Sequence, residues 1–307
     1  MVGLAWLPET LAYGGAAAVG QAIFLCSKRR QRYALKFLRQ AYPEGKTDRE
    51  LLALARRATG NCLKFSIDMV KIHSVLRKGT LDQYVEGLDH LQEQLPKGGL
   101  MVLTGHLGSW EVGATIIASL RKEAHVIVRD FENPMLRDFL ESSRQSSGLH
   151  LHPRRGGIRG LARAMKNGAT GLQVVDQNQR LRGVHVPFFG KMASTERGAA
   201  TLAVRSGYPV AICFCPRVGS GFRFKAKVGK IIYPKVARNG SVAYRAKELV
   251  REINAGLEEG ILAYPEQYLW AHDRYRTQQI PESAGDEEFD SAEEGGFDRL
   301  TTRSETA

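Results

Sequence analysis

The stretch "TGHLGSWE", Thr104 to Glu111, places a histidine and a glutamate five positions apart, directly after the apolar run "GGLMVLTG". Imidazole is the side chain best suited to accept a proton near neutral pH. A carboxylate on one ring nitrogen fixes its tautomer and leaves the other nitrogen free. On an ideal helix, five residues turn through roughly 500°, so the two side chains end about 140° apart. His106 and Glu111 would therefore meet only with His106 on the turn leading into a helix and Glu111 about one turn inside it. Gly105 and Gly108 permit such a bend. Backbone N–H groups near Gly108 and Ser109 would then be placed to stabilise an oxyanion. The bland alternative is chance, since an isolated H-x4-E is common. A zinc site fits poorly, because no second His or Cys lies at ligand spacing.

Such a turn needs a strand before it and a helix after it. From Gly98 onward, short apolar runs ("LMVLTG", "AHVIVR", "ATGLQVVDQ", "YPVAICFCPRV") alternate with helical stretches ("GSWEVGATIIASL", "ERGAATLAVRSG"). That alternation predicts an α/β fold with a mostly parallel central sheet flanked by helices. The turn "GSGF" predicts a hairpin between the last two strand-like runs. Residues 28–95 read as helical, with Thr47 and Glu50 spaced as a capping box.

The amino-terminal segment Thr10 to Cys26 carries no charge and is followed by Lys28, Arg29, Arg30 and Arg32. Positive charge after the apolar stretch is the reverse of a secretory signal. The pattern predicts a membrane anchor or interfacial helix over residues 1–27, with a buried amphipathic helix as the alternative. Residues 28–280 form the main domain, and residues 281–307 read as an acidic, disordered tail. The tail from Glu282 carries nine acids and two bases; removing its −7 from the net +12 leaves +19 on residues 1–281. A body that basic expects an anionic partner. No nucleic-acid motif is present, so the charge points elsewhere. Cys26, Cys62, Cys213 and Cys215 show no ligand pairing and read as small apolar residues.

"HLGSWE" resembles the H-x4-D/E motif of the lipid A biosynthesis acyltransferase family, the late lauroyl and myristoyl transferases. Three more segments resemble that family in order: "VIVRDFENPMLRDFL" (Val126 to Leu140), "GLQVVDQNQRLRGVHVPFFGKMASTERGAATLA" (Gly171 to Ala203) and "PEQYLWAHDRYRT" (Pro265 to Thr277). The resemblance spans roughly residues 10–280. It implies transfer of a fatty acyl group from acyl carrier protein, or alternatively acyl-CoA, to a hydroxyl of an anionic membrane glycolipid. His106 would be the general base and Glu111 its orienting carboxylate, with no covalent intermediate, no cofactor and no metal. The enzyme would sit at the inner membrane with its catalytic domain facing the cytoplasm.

Further residues follow from the same resemblance. Arg129 would meet acceptor phosphate or the reacting centre, or else pair with Asp130 or Glu132. Asp176, with Gln177 as its companion, would be a site residue positioning an arginine or the acceptor, or else a strand-ending cap. Thr195 would cap a helix or touch substrate, and Arg217 would contact phosphate or carrier. "VPFFG" reads as an apolar surface loop that packs, lines an acyl groove or dips into the bilayer. Trp270, His272 and Arg274 form an aromatic and basic cluster that reads as a surface at headgroup level, with a structural role for His272 as the alternative. Arg154, Arg155, Arg159, Arg163 and Lys166 offer a basic face to anionic lipid or carrier protein. Acyltransferases acting on lysophospholipids or mannosylated phosphoinositides share much of this pattern. A non-catalytic membrane-binding protein on the same scaffold is the rival from another class.

Overall fold

The computed structural model describes residues 8–121, 123–128, 133–154, 156–181, 183–237 and 241–277. Its centre is a six-stranded sheet in the order β10-β8-β2-β5-β3-β4. These strands are β2 (Leu100–Thr104), β3 (Ala124–Val128), β4 (Leu149–Pro153), β5 (Thr170–Val174), β8 (Val210–Phe214) and β10 (Lys227–Ile232); β1 (Val85–Glu86) and β9 (Phe224–Lys225) form a separate parallel pair, and α5 (Leu88–Gln94) and α8 (Gly157–Lys166) precede β2 and β5. All neighbours run parallel except β10, which pairs antiparallel with β8. The α/β class, the mostly parallel sheet and the late antiparallel pair agree with the alternation in the sequence.

Side chains alternate across the sheet, so β2 feeds two cores. Leu100 and Val102 face one cluster, with Ile67 and Ile72 of α4 (Phe65–Lys78) and Val112 and Ile116 of α6 (Trp110–Leu120). Met101 and Leu103 face the other, with Phe37 of α2 (Lys28–Ala41), Leu202 of α9 (Gly198–Ser206) and Leu257 of α10 (Val242–Ala263). Both faces of the sheet are therefore covered by helices, as a parallel sheet requires.

The chain leaves β2 through α6 toward β3 on one side. It leaves β5 through the hairpin β6 (Val184–Phe188) and β7 (Lys191–Thr195), then α9, toward β8 on the other side. The two connections diverge between neighbouring strands. At the carboxyl ends of adjacent strands whose connections part in this way, here β2 and β5, α/β proteins form the crevice that takes their ligands.

The amino-terminal helix α1 (Glu9–Cys26) lies on α3 (Asp48–Leu63). Close approach is possible because Gly20 meets Gly60; a Cβ on Gly20 would lie 2.8 Å from the Thr59 carbonyl. Ala12, Tyr13 and Phe24 are buried, while Leu11, Val19, Ile23 and Leu25 are exposed. The helix is thus apolar on both its packed and its outward face. It bends by 94° into α2, whose first turn carries exposed Lys28, Arg29 and Arg30. Among the described residues no single helix is long and apolar enough to cross a membrane, although the bent pair meets the length and composition together. The capping box of α3 is present as read: Glu50 N–H donates to Thr47 Oγ1 and Thr47 N–H to Glu50.

Candidate active site

His106 and Asp176 each stand two residues beyond the end of adjacent parallel strands, whose last residues, Thr104 and Val174, are register partners. Equal offsets past matched ends bring the two side chains abreast in the crevice. Asp176 accepts from the His106 backbone N–H at 2.9 Å and from His106 Nδ1 at 2.7 Å. Gly105 makes room, since a Cβ there would lie 3.3 Å from the Asp176 carboxyl carbon. An ionised carboxylate can only accept, so Nδ1 carries the proton and Nε2 presents its lone pair. Gln177 Nε2 lies 3.3 Å from that nitrogen, and the imidazole is 19% exposed. The Trp110 ring flanks it, edge to face, at 4.9 Å.

The electrostatics hold Asp176 ionised and strengthen the affinity of His106 for a proton. Burial disfavours the His106 cation, but the charge and hydrogen bond of Asp176, with the charge of Glu111, outweigh it and raise the imidazole pKa above 6.5. Burial likewise pushes Asp176 upward. The His106 charge and hydrogen bonds, helped by the Tyr268 hydroxyl, win and hold the carboxyl at about 2. Asp176 is therefore anionic at neutral pH, although only 2% exposed.

The closing segment braces this turn from behind. Gly108 N–H donates to the Gln267 carbonyl at 3.0 Å and Leu269 N–H to the His106 carbonyl at 3.2 Å. Trp270 Nε1 donates to the Pro265 carbonyl, and Asn178 N–H donates to His272 Nε2 at 3.0 Å. Gly108 has a φ of +64°, and a Cβ there would collide with the Cys215 carbonyl. Glycine is required twice over at that position.

Several expectations are corrected. The hydrogen bond expected from His106 to Glu111 goes to Asp176. Glu111 lies in the first turn of α6 and forms a two-point pair with Arg144 of α7 (Pro134–Ser146), at 2.6 and 3.1 Å. It reaches His106 only through space. The N–H groups of Gly108 and Ser109, expected to face an oxyanion, are already spent on the Gln267 and Cys215 carbonyls. Thr195 neither caps α9 nor opens to a substrate: it is buried and accepts from Arg274 at 2.6 Å, while the carboxylate of Glu196 accepts from the Gly198 N–H at the start of the helix. Arg217 is buried against Asp68, between the rings of Tyr13 and Phe224, rather than offered to phosphate. "VPFFG" is a tight hairpin, not a surface loop. Phe188 and Phe189 are buried around Phe37, with centroids at 6.0 and 6.1 Å. Trp270 and Arg274 are buried too, so that cluster does not form a headgroup surface. Gln177, expected as a companion of Asp176, has its amide nitrogen against His106 Nε2, and Arg129 lies outside the described residues.

Two participants escaped the sequence reading, Trp110 beside the imidazole and Tyr268 near Asp176; a third, Asp68 behind the turn, was visible only as an aspartate where the resembling family's early helix often ends near a glutamate. Trp110 sits inside the opening motif and Tyr268 inside the closing one, so both were within reach. The partners of Asp68 were not legible, because only its full burial on α4 calls for them.

The chain is similar to known proteins over nearly all its length. It is 28% identical to the lipid A biosynthesis palmitoleoyltransferase of Escherichia coli, with 92% of each chain covered. It is 26% identical to the lipid A biosynthesis lauroyltransferase of the same organism over 63% of this chain and 61% of the relative. The phosphatidylinositol mannoside acyltransferase of Mycobacterium tuberculosis is 26% identical over 53% of this chain and 52% of its own. The family model for bacterial lipid A biosynthesis acyltransferases matches residues 1–277. With a histidine and an anionic carboxylate joined at the divergence of β2 and β5, and a family match running from the first residue to the closing motif, the chain belongs to the bacterial lipid A biosynthesis acyltransferases and is an acyltransferase.

Proposed function

We propose that the protein transfers a fatty acyl group from acyl carrier protein to a hydroxyl of an anionic membrane glycolipid of the lipid A precursor type. The observation that carries the mechanism is the His106 Nδ1 to Asp176 contact at 2.7 Å, which leaves Nε2 as the free base. The acceptor hydroxyl displaces Gln177 from Nε2 and loses its proton to that nitrogen. The resulting oxygen attacks the thioester carbonyl, forming the C–O bond and a tetrahedral oxyanion. Collapse breaks the C–S bond, and the departing thiolate recovers the proton from Nε2. Asp176 stays ionised throughout and stabilises the transient imidazolium, while the Gln177 amide donates to the oxygen that gains charge. The relatives named for lipid A support the acceptor class, and the +19 body suits a negatively charged lipid and an acidic carrier.

The outward apolar face of α1 and the basic start of α2 support attachment to the inner membrane with the catalytic domain on the cytoplasmic side. Deleting residues 1–27 would also remove buried Tyr13 and Phe24, so surface substitution is the cleaner test. Changing Leu11, Val19, Ile23 and Leu25 together to serine should weaken binding to anionic vesicles at least about tenfold, because each buried aliphatic side chain contributes roughly 1.5–3 kcal/mol. Undiminished binding with the fold intact would rule α1 out as the attachment surface.

A second reading pairs an acyl-CoA donor with a mannosylated phosphoinositide acceptor; the name of the mannoside acyltransferase relative supports the acceptor alone. Purified protein offered matched acyl-carrier and acyl-CoA donors, and both acceptor classes, separates the two by product mass. Faster turnover with carrier donor and lipid A precursor is expected. The reverse preference would replace the first reading by the second.

A further inference from the structure

Asp68 is fully buried on α4, 38 positions before His106, and takes no part in the mechanism above. Its two oxygens gather three partners from distant parts of the chain. Oδ1 accepts from the Tyr13 hydroxyl of α1 at 2.8 Å. Oδ2 accepts from Ser109 Oγ at 2.8 Å and pairs with the Arg217 guanidinium. Arg217 also donates to the Gly221 carbonyl, and its backbone exchanges two hydrogen bonds with the Gln267 side chain, at 2.8 and 3.0 Å. Gln267 in turn accepts from Gly108 N–H through its carbonyl. The network therefore grips Gly108 and Ser109, two and three residues after His106, from both sides. Ser109 is the residue before α6 and is itself fully buried.

We propose that Asp68 is the positioning residue of the catalytic turn, and that Tyr13 makes the amino-terminal helix part of the same device. A fully buried carboxylate is costly unless every partner is in place, so the four groups hold one another in a single arrangement. If Ser109 and Gly108 move, His106 moves against Asp176, because only two peptide units separate them. The helix α1 then contributes to catalytic geometry as well as packing. The inference rests on His106 acting as the base.

The test compares Tyr13→Phe with the double variant Asp68→Asn/Arg217→Gln. The double change removes both buried charges together, since Asp68→Asn alone would strand the Arg217 cation. Thermal melts establish that each variant is folded, and kcat, KM and the pH profile are measured on the folded protein. A misplaced catalytic group lowers turnover steeply, so kcat should fall about tenfold to a hundredfold in the double variant and about threefold or more in Tyr13→Phe. KM for the donor should change little. The apparent pKa of the rate should drop toward 6.5, because a loosened turn weakens the contact with Asp176 that raises it. A merely structural role would lower the melting temperature and leave the pKa of the folded protein where it was. If the double variant fails to fold, Tyr13→Phe decides alone. Unchanged kcat and pH profile in Tyr13→Phe, with His106→Ala inactive, would overturn this proposal but not the mechanism. An active His106→Ala would overturn both.

Discussion

Two carboxylates act on His106 from two differently built regions. Asp176 stands in the crevice between β2 and β5, abreast of the imidazole and bonded to it twice. Glu111 stands at the start of α6, turned to Arg144 of α7, and its influence is Coulombic only. In sequence the order is reversed: Glu111 is five residues from His106 and Asp176 is seventy. Register between neighbouring strands sets contact more tightly here than closeness along the chain. The α6–α7 pair locks two helices that follow consecutive strands, whereas the β2–β5 pair joins the two strands at which the connections diverge.

The largest effect expected is from Asp176→Asn. The amide can donate where the carboxylate only accepted, so it no longer enforces the tautomer with Nε2 free, and it brings no charge to stabilise the imidazolium. Turnover should fall on the order of 10³-fold while the fold survives, within the range a positioned base and its partner contribute. Comparable activity in this variant would make the two carboxylates interchangeable and erase the contrast.

Glu111→Gln should act first on stability. Its pair with Arg144 is only 11% and 14% exposed at the side chains. Removing one partner leaves a largely buried guanidinium without its counter-charge, which costs about 3 kcal/mol. A clear drop in Tm is expected, with kcat below the transition reduced about tenfold or less. A loss of rate equal to that of Asp176→Asn, at unchanged Tm, would move Glu111 into the catalytic pair.

The pH dependence sharpens the same contrast. The base works only when neutral, and its pKa is raised in the folded protein, so the rate should climb with pH through a midpoint above 6.5. Asp176→Asn should move that midpoint down further than Glu111→Gln does, since it removes a hydrogen bond as well as a charge. Smallest is Gln177→Ala, which should lower kcat about threefold to tenfold and leave the midpoint near its original place, because the amide lends one hydrogen bond.

Much of this architecture is legible in the residues themselves. The alternation after Gly98 foretells the sheet, the glycines around His106 foretell the bend, and Thr47 with Glu50 foretells the start of α3. Asp176 is visible as a carboxylate ending a strand. Its partnership with His106 is not, because periodicity gives strands but not their order, and the contact exists only since β5 returns beside β2. The same gap explains Phe188 and Phe189, whose burial depends on Phe37 about 150 positions earlier. It also explains Arg217, whose partner Asp68 lies on another element. Glu111 misleads for a local reason: α6 begins at Trp110, so the helix carries its side chain toward α7 before it can face the turn.

The pairing itself can be read by histidine-selective 15N NMR of His106 across a pH titration, in the native protein and in Asp176→Asn and Glu111→Gln. The neutral ring should carry its proton on Nδ1, with a pKa above 6.5 that falls most in Asp176→Asn. A proton on Nε2, or a pKa that follows Glu111 and ignores Asp176, would contradict the assignment of Asp176 as the partner that readies the base.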